Sequence, residues 1–182
     1  MITVTPRPTT PSPRAPHPPH TPRLAPAPTL TVRGAWPRDA AALAALSQPF
    51  VRSGALRARP SHVYEWNATD FLVAEAPDGT LEGCLAVRVH TDPRGRNRPT
   101  GVVYNFCVAR RRQGSGLGGR LLDAALAQGR SRELDALFTA TTGSGRLFLR
   151  YGFAPVAPEL APASWARSLD PRRGAKVLAR VL

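Results

Sequence analysis

Four glycines fall within six residues, Gly114, Gly116, Gly118 and Gly119, between an aliphatic run (Gly101 to Val108) and an apolar repeat at helical spacing (Leu117, Leu121, Leu122, Ala125, Leu126). A strand that ends in a glycine turn and opens into a helix forms an anion cradle. Glycine lets backbone N–H groups converge on a phosphate with no side chain in the way, and the helix end supplies partial positive charge. The implied ligand is a cofactor that carries a pyrophosphate. A nucleotide-binding loop of the Walker type is excluded, because Gly118-Gly119-Arg120 stands where Gly-Lys-Ser/Thr is required. Gly114, Gly116 and Gly119 match the dinucleotide spacing, but a lone match of that kind is weak.

The rest of the composition narrows the partners. Residues 1–28 hold 10 of the 20 prolines and almost no large apolar side chains. Such a segment cannot offset its ordering entropy, so a disordered tail is expected there and a folded domain over 29–182. No signal-peptide core and no run of about 18 apolar residues occurs, so no membrane partner is expected. The net charge is +13, of which Arg7, Arg14 and Arg23 of the tail supply three. Only one lysine, Lys176, is present and aromatics are sparse. No basic helix appears, so nucleic acid is not the expected partner and a small anionic ligand is. Cys84 and Cys107 lie in apolar strand patterns, and the four histidines form no ligand set. No metal is expected, and a reducing, cytoplasmic compartment is.

The pattern predicts strands at Leu30–Arg33, Phe71–Glu75, Leu81–His90, Gly101–Val108 and Ala136–Ala140, with further strands at Phe153–Val156 and Lys176–Leu182. Helices are expected over Pro37–Leu46 and Ser61–Asn67, from Leu117 onward, and over Ser144–Tyr151. Asp92 to Pro99 reads as a basic loop. The fold class is α/β, with a mixed central sheet flanked by helices on both faces.

The segment Gln113-Gly114-Ser115-Gly116-Leu117-Gly118 resembles the acetyl-CoA loop Gln/Arg-x-x-Gly-x-Gly/Ala of the GNAT acetyltransferase superfamily, whose fold has the same order of elements. Within that superfamily, several stretches are similar to the acetyltransferase domain of N-acetylglutamate synthases. They are 53–59, 70–75, Gly83 to Ala86, Leu137 to Thr142, Gly152 to Val156 and Arg173 to Leu178. The resemblance implies acetyl transfer from acetyl-CoA to the α-amine of L-glutamate, the first step of arginine biosynthesis. It also implies the short form, without an upstream amino-acid-kinase domain. Another small amine or a protein N-terminus as acceptor, a non-catalytic acetyl-CoA-binding role, and a homodimer stay open.

Carried over by alignment, Arg59, Arg173 and Lys176 would hold the dianionic acceptor, since arginine matches a carboxylate with two donors. Phe106, Cys107 and Val108 would flank the pantetheine arm. Gln113, Gly114, Ser115, Gly116, Leu117, Gly118 and Gly119 would present the pyrophosphate cradle. Arg111 and Arg112 would reach the 3′-phosphate or stay solvated. The family's usual residues are replaced at several positions: Ala175 stands for a serine, Val102 for a glutamate, Phe148 for a tyrosine acid, and Tyr104 and Asn105 for small residues. Ser144, which is also read as a helix N-cap, would then protonate the leaving thiolate, and Asn105 would relay the amine proton. Tyr151 is expected between helix and sheet, and Glu75 and Glu82 on the solvent face of their strands.

Overall fold

Runs of mostly buried residues over Phe71–Glu75, Leu81–His90 and Thr100–Val108 build the centre of the molecule. In a computed structural model that describes residues 29–91 and 98–182, these are strands β2, β3 and β4 of a seven-stranded sheet. The expected tail and most of the expected basic loop lie outside the described residues. The remaining strands are β1 (Thr31–Gly34), β5 (Ala136–Thr141), β6 (Ala154–Pro155) and β7 (Lys176–Val181). The order is β1-β2-β3-β4-β5-β7-β6, and only β4–β5 is parallel.

Helix α3 (Leu117–Ser131) covers one face. Its stripe of Leu117, Leu121, Leu122, Ala125 and Leu126 packs on Leu85, Val87, Val103 and Leu137. On the opposite face α1 (Ala40–Arg52) and α2 (Ser61–Trp66) enclose Leu43, Tyr64, Phe71, Val73, Cys84 and Cys107. Helix α1 continues past the expected end at Leu46 because Leu46 and Phe50 carry its apolar face onward through Pro49. Two further helices are short, α4 (Arg146–Arg150) and α5 (Ala163–Ala166). The second of these was not expected. It belongs to a segment whose Trp165 and Leu169 pack on Val102, Phe138 and Val177.

Strand β4 carries the feature that positions the site. Cys84 pairs with Cys107 and Ala86 with Tyr104, so the single Leu85 of β3 faces both Asn105 and Phe106. Asn105 takes up the extra residue at φ 49°, a left-handed conformation that Asn tolerates better than most side chains. The bulge resets the side-chain parity. Val103, Phe106 and Val108 pack toward α3, while Tyr104 and Cys107 pack toward α1. It also turns β4 away from β5, and their pairing ends at Val103–Thr139.

At the paired end of β4, close packing requires glycine. A Cβ on Gly101 would lie 2.5 Å from Leu137 Cδ2 and 3.0 Å from both Leu134 Cδ1 and Val87 Cγ1. Gly101→Ala is therefore expected to cost about 1–3 kcal/mol of stability, read as a lower urea midpoint with an unchanged slope.

Candidate active site

Where β4 and β5 part, a cavity of about 650 Å³ opens between them. Its floor is Tyr104, Asn105 and Phe106 on one strand and Thr139, Ala140 and Thr141 on the other. Past Val103, the β5-facing edge of β4 has no strand partner, so its backbone groups, apart from Val108 O, can pair with the amides of an extended ligand. Phe106 lines this groove and stacks edge-on with Phe148 at 5.7 Å, and Phe148 does the same with Phe153 at 5.3 Å. The apolar wall and free strand edge fit a pantetheine arm. Cys107 is turned the other way. Its Sγ lies 3.4 Å from that of Cys84 inside the α1-side core, so its side chain makes none of the contacts expected of it.

The glycine turn leads from this strand edge to α3. Gly114 has φ 78° and Gly116 φ 84°, and a Cβ at either would meet nothing within 4 Å. The side chains of the turn fold inward. Gln113 Nε2 donates to Val108 O at 3.2 Å and Ser115 Oγ donates to Arg112 O at 2.6 Å. Gly116 sits at the N-cap of α3 with no side-chain cap, so the first amides of a 15-residue helix stay free. That arrangement fits a pyrophosphate. Leu117 is buried by its side chain and offers the cradle only its N–H. Gly119 has another role, since a Cβ there would lie 2.5 Å from the Tyr151 hydroxyl, which crosses α3 to donate to Asp123 Oδ2 at 3.1 Å. Gly116→Val is expected to weaken CoA binding about tenfold in calorimetry, because φ > 0 costs an L-residue roughly 1–2 kcal/mol.

Of the two acids expected to face outward, Glu75 stays partly exposed and Glu82 does not face outward. Glu82 is buried at 3 % exposure and pairs with Arg111 at 3.1 Å and Arg112 at 3.3 Å. A carboxylate between strand β3 and the cradle draws in two guanidinium groups, so neither arginine is simply solvated. Glu75 pairs with Arg33 at 2.7 Å, and Arg33 also holds Asp39 at 2.7 Å. The shared guanidinium keeps both carboxyls below their ordinary range.

Arginines dominate the cavity's other wall. Arg59 is half-buried, with its guanidinium 4.9 Å from the Tyr104 ring centre. Its Nε is buried and has no hydrogen-bond partner among the described residues. Burial pushes the Arg59 pKa down, since no carboxylate compensates the lost hydration. Arg173 lines the same space, with Nη2 donating to Gly54 O at 2.6 Å and Ala55 O at 3.3 Å. Lys176 is exposed at the start of β7 and does not line the cavity; Ala175 does. The sequence reading missed Arg57, which donates to Ser168 O at 2.9 Å, and the cavity-lining Arg88, His90 and Trp165. Nothing in their spacing marks them. They meet only because the 157–175 segment folds back over the β4–β5 opening.

The two residues expected to handle protons are placed differently from one another. Asn105 is 4 % exposed, lines the cavity floor, and donates through Nδ2 to Ser47 Oγ at 2.9 Å, leaving Oδ1 without a partner among the described residues. Ser144 is exposed beside the cavity and is not a helix cap. Helix α4 starts at Arg146, and Gly145, at φ 65°, is its N-cap with no side-chain cap bond. A glycine in the left-handed region has taken over the turn that the serine was expected to make. Among the described residues no cluster of His, Cys, Asp and Glu fits a metal, and no helix is long and apolar enough to cross a membrane.

Known proteins are similar to this chain in sequence and in fold. An amino-acid acetyltransferase of Neisseria meningitidis is 27% identical over 133 residues, which is 73% of this chain and 29% of that protein. A mycothiol acetyltransferase of Thermobispora bispora is 39% identical over 87 residues, 46% of this chain and 29% of that protein. The chain spans less than a third of the length of these curated relatives. The structure of N-acetylglutamate synthase from Neisseria gonorrhoeae, complexed with coenzyme A and N-acetyl-glutamate, superposes with a TM-score of 0.76 at 26% identity. The match covers 87% of this chain and 36% of that one. The model of the acetyltransferase (GNAT) family matches residues 40–153, and with the cradle, the bulge and the parted strands already in place, the chain belongs to that family.

Proposed function

We propose that the protein is an acetyl-CoA-dependent N-acetyltransferase whose acceptor is an anionic amino acid, L-glutamate, acting in the cytoplasm in arginine biosynthesis. The observation that carries this reading is Arg59, a guanidinium aimed into the cavity with no carboxylate to neutralise it. Arg57 and Arg173 add to it, because both are held by backbone carbonyls and so keep their full charge. The relatives named amino-acid acetyltransferase and N-acetylglutamate synthase support the same choice.

Acetyl-CoA supplies an activated acetyl group as a thioester. The chain's own residues bind and orient. Gly114, Gly116, Leu117, Gly118 and Gly119 present backbone amides to the pyrophosphate, with Gln113 and Ser115 shaping the turn. Phe106 and the backbone of Cys107 and Val108 align the arm along the free edge of β4. Arg59 and Arg173 hold the acceptor's carboxylates so that its amine meets the carbonyl carbon; Lys176, which does not line the cavity, takes no part. Such alignment accounts for roughly 7–11 kcal/mol of barrier in well-oriented systems, enough for catalysis without a carboxylate base at Val102. The unpartnered Oδ1 of Asn105 accepts a hydrogen bond from a water, and that water carries the amine proton to solvent. Ser144, beside the opening, is the donor to the departing thiolate.

A second reading, an acetyl-CoA-binding protein without turnover, draws on Phe148. It lines the cavity where a tyrosine acid would otherwise stand. Thiol release from acetyl-CoA across a panel of amino acids, polyamines and peptides separates the two, with glutamate expected as the best acceptor. Arg59→Ala is expected to raise the glutamate KM roughly 10- to 100-fold and leave the acetyl-CoA KM unchanged. An unchanged glutamate KM would remove Arg59 from the acceptor site. Ser144→Ala is expected to lower kcat about tenfold or more with no change in Tm, as no cap bond is lost.

A further inference from the structure

Tyr104 has no part in the chemistry above, yet Asp70, Arg88 and Arg59 all contact it. Its hydroxyl donates to Asp70 Oδ2 at 2.8 Å, and the same oxygen accepts from Arg88 Nε at 3.1 Å. Arg88 also donates to Asn67 Oδ1 and lies 5.2 Å from the Tyr104 ring centre. Arg59 lies over the ring at 4.9 Å. The ring is held from behind by Phe71, edge-on at 5.7 Å, and it extends from the strand position just before the bulge. Burial and the neighbouring Asp70 carboxylate push the tyrosine pKa well up, so the hydroxyl remains a donor.

The cations and anions of this wall are thereby sorted. Asp70 is satisfied by Tyr104 and Arg88. Asp170, at the cavity mouth, accepts from Arg172 N at 3.0 Å. Arg59 is left with an aromatic face, which stabilises a guanidinium without filling its N–H donors. One side chain thus contacts a carboxylate through its hydroxyl and a guanidinium of opposite charge through its ring. We infer that Tyr104 is a positioning residue that reserves Arg59 for the acceptor's carboxylate, by supporting the guanidinium on its ring and occupying Asp70 with its hydroxyl. The inference rests on the reading that the acceptor is an anionic amino acid.

The test uses Tyr104→Leu, Tyr104→Phe and the double variant Tyr104→Leu/Asp70→Asn. Tyr104→Leu is expected to raise the glutamate KM about tenfold, with kcat and the acetyl-CoA KM close to wild type. Adding Asp70→Asn is expected to recover most of that loss, because the competing carboxylate is gone. A residue that merely filled space would not be rescued in this way. Tyr104→Phe keeps the ring and is expected to shift the KM by about two- to threefold, which preserves a readout if the leucine variant folds poorly. Calorimetry with glutarate, a dicarboxylate without an amine, follows the same affinities without turnover. If the wild type binds glutarate but does not acetylate glutamate, the proposed substrate fails while the glutarate series still decides the role of Tyr104. No glutarate binding by the wild type, an unchanged affinity in Tyr104→Leu, or a double variant no better than the single one would overturn the inference.

Discussion

The left-handed turn of Asn105 is the constraint on which the rest of the site depends. One surplus residue in β4 exchanges the faces of every side chain after it and parts the strand from β5. The parting exposes backbone groups that a continuous ladder would consume. It also aims Phe106 along the groove and sends Cys107 into the opposite core. The side chain of Asn105 secures its own conformation, with Nδ2 on Ser47 Oγ, whose hydroxyl in turn donates to Leu43 O at 2.8 Å in α1. A helix on one face of the sheet thus fixes the opening of a groove at its edge.

Electrostatic sorting follows a simple division in this arginine-rich chain. Several arginines are paired to carboxylates: Arg33 to Asp39 and Glu75, Arg88 to Asp70, Arg111 and Arg112 to Glu82. Of the four that line the cavity, Arg88 is among these, whereas Arg57 and Arg173 rest on carbonyl oxygens and Arg59 on a ring, which order the side chain and leave its charge uncancelled. Net charge read from composition conceals this. The local excess matters only where the field is confined by low-dielectric walls, as it is between Phe106, Phe148 and Trp165.

Local chemistry made most of the frame legible from sequence. The glycine turn, the apolar stripe of α3 and the short apolar runs of β2 and β3 each follow from a pattern or a steric rule confined to a few neighbours, and each lies where its pattern placed it. What escaped depends on residues far apart in the chain. The parity change at Asn105 cannot be read from an aliphatic run that looks regular, so Cys107 was grouped with Phe106 and Val108. Glu82 looked like an outward strand residue because its partners, Arg111 and Arg112, lie 29 and 30 positions away. Ser144 had every local mark of a cap, and Gly145 displaced it through a backbone conformation that composition does not reveal. The covering segment around Trp165 has proline spacing without period, and its helix of four residues is too short to announce itself.

The two rims of the sheet are short. Strand β6 is two residues long and one of them, Pro155, has no N–H to offer, while β1 at the far side has four residues. Rims of this kind present almost no template to a passing extended chain, and that protects a β-rich protein from self-association at high concentration. The edge of β4 that loses its partner after Val103 lies inside the sheet instead, between the groove walls.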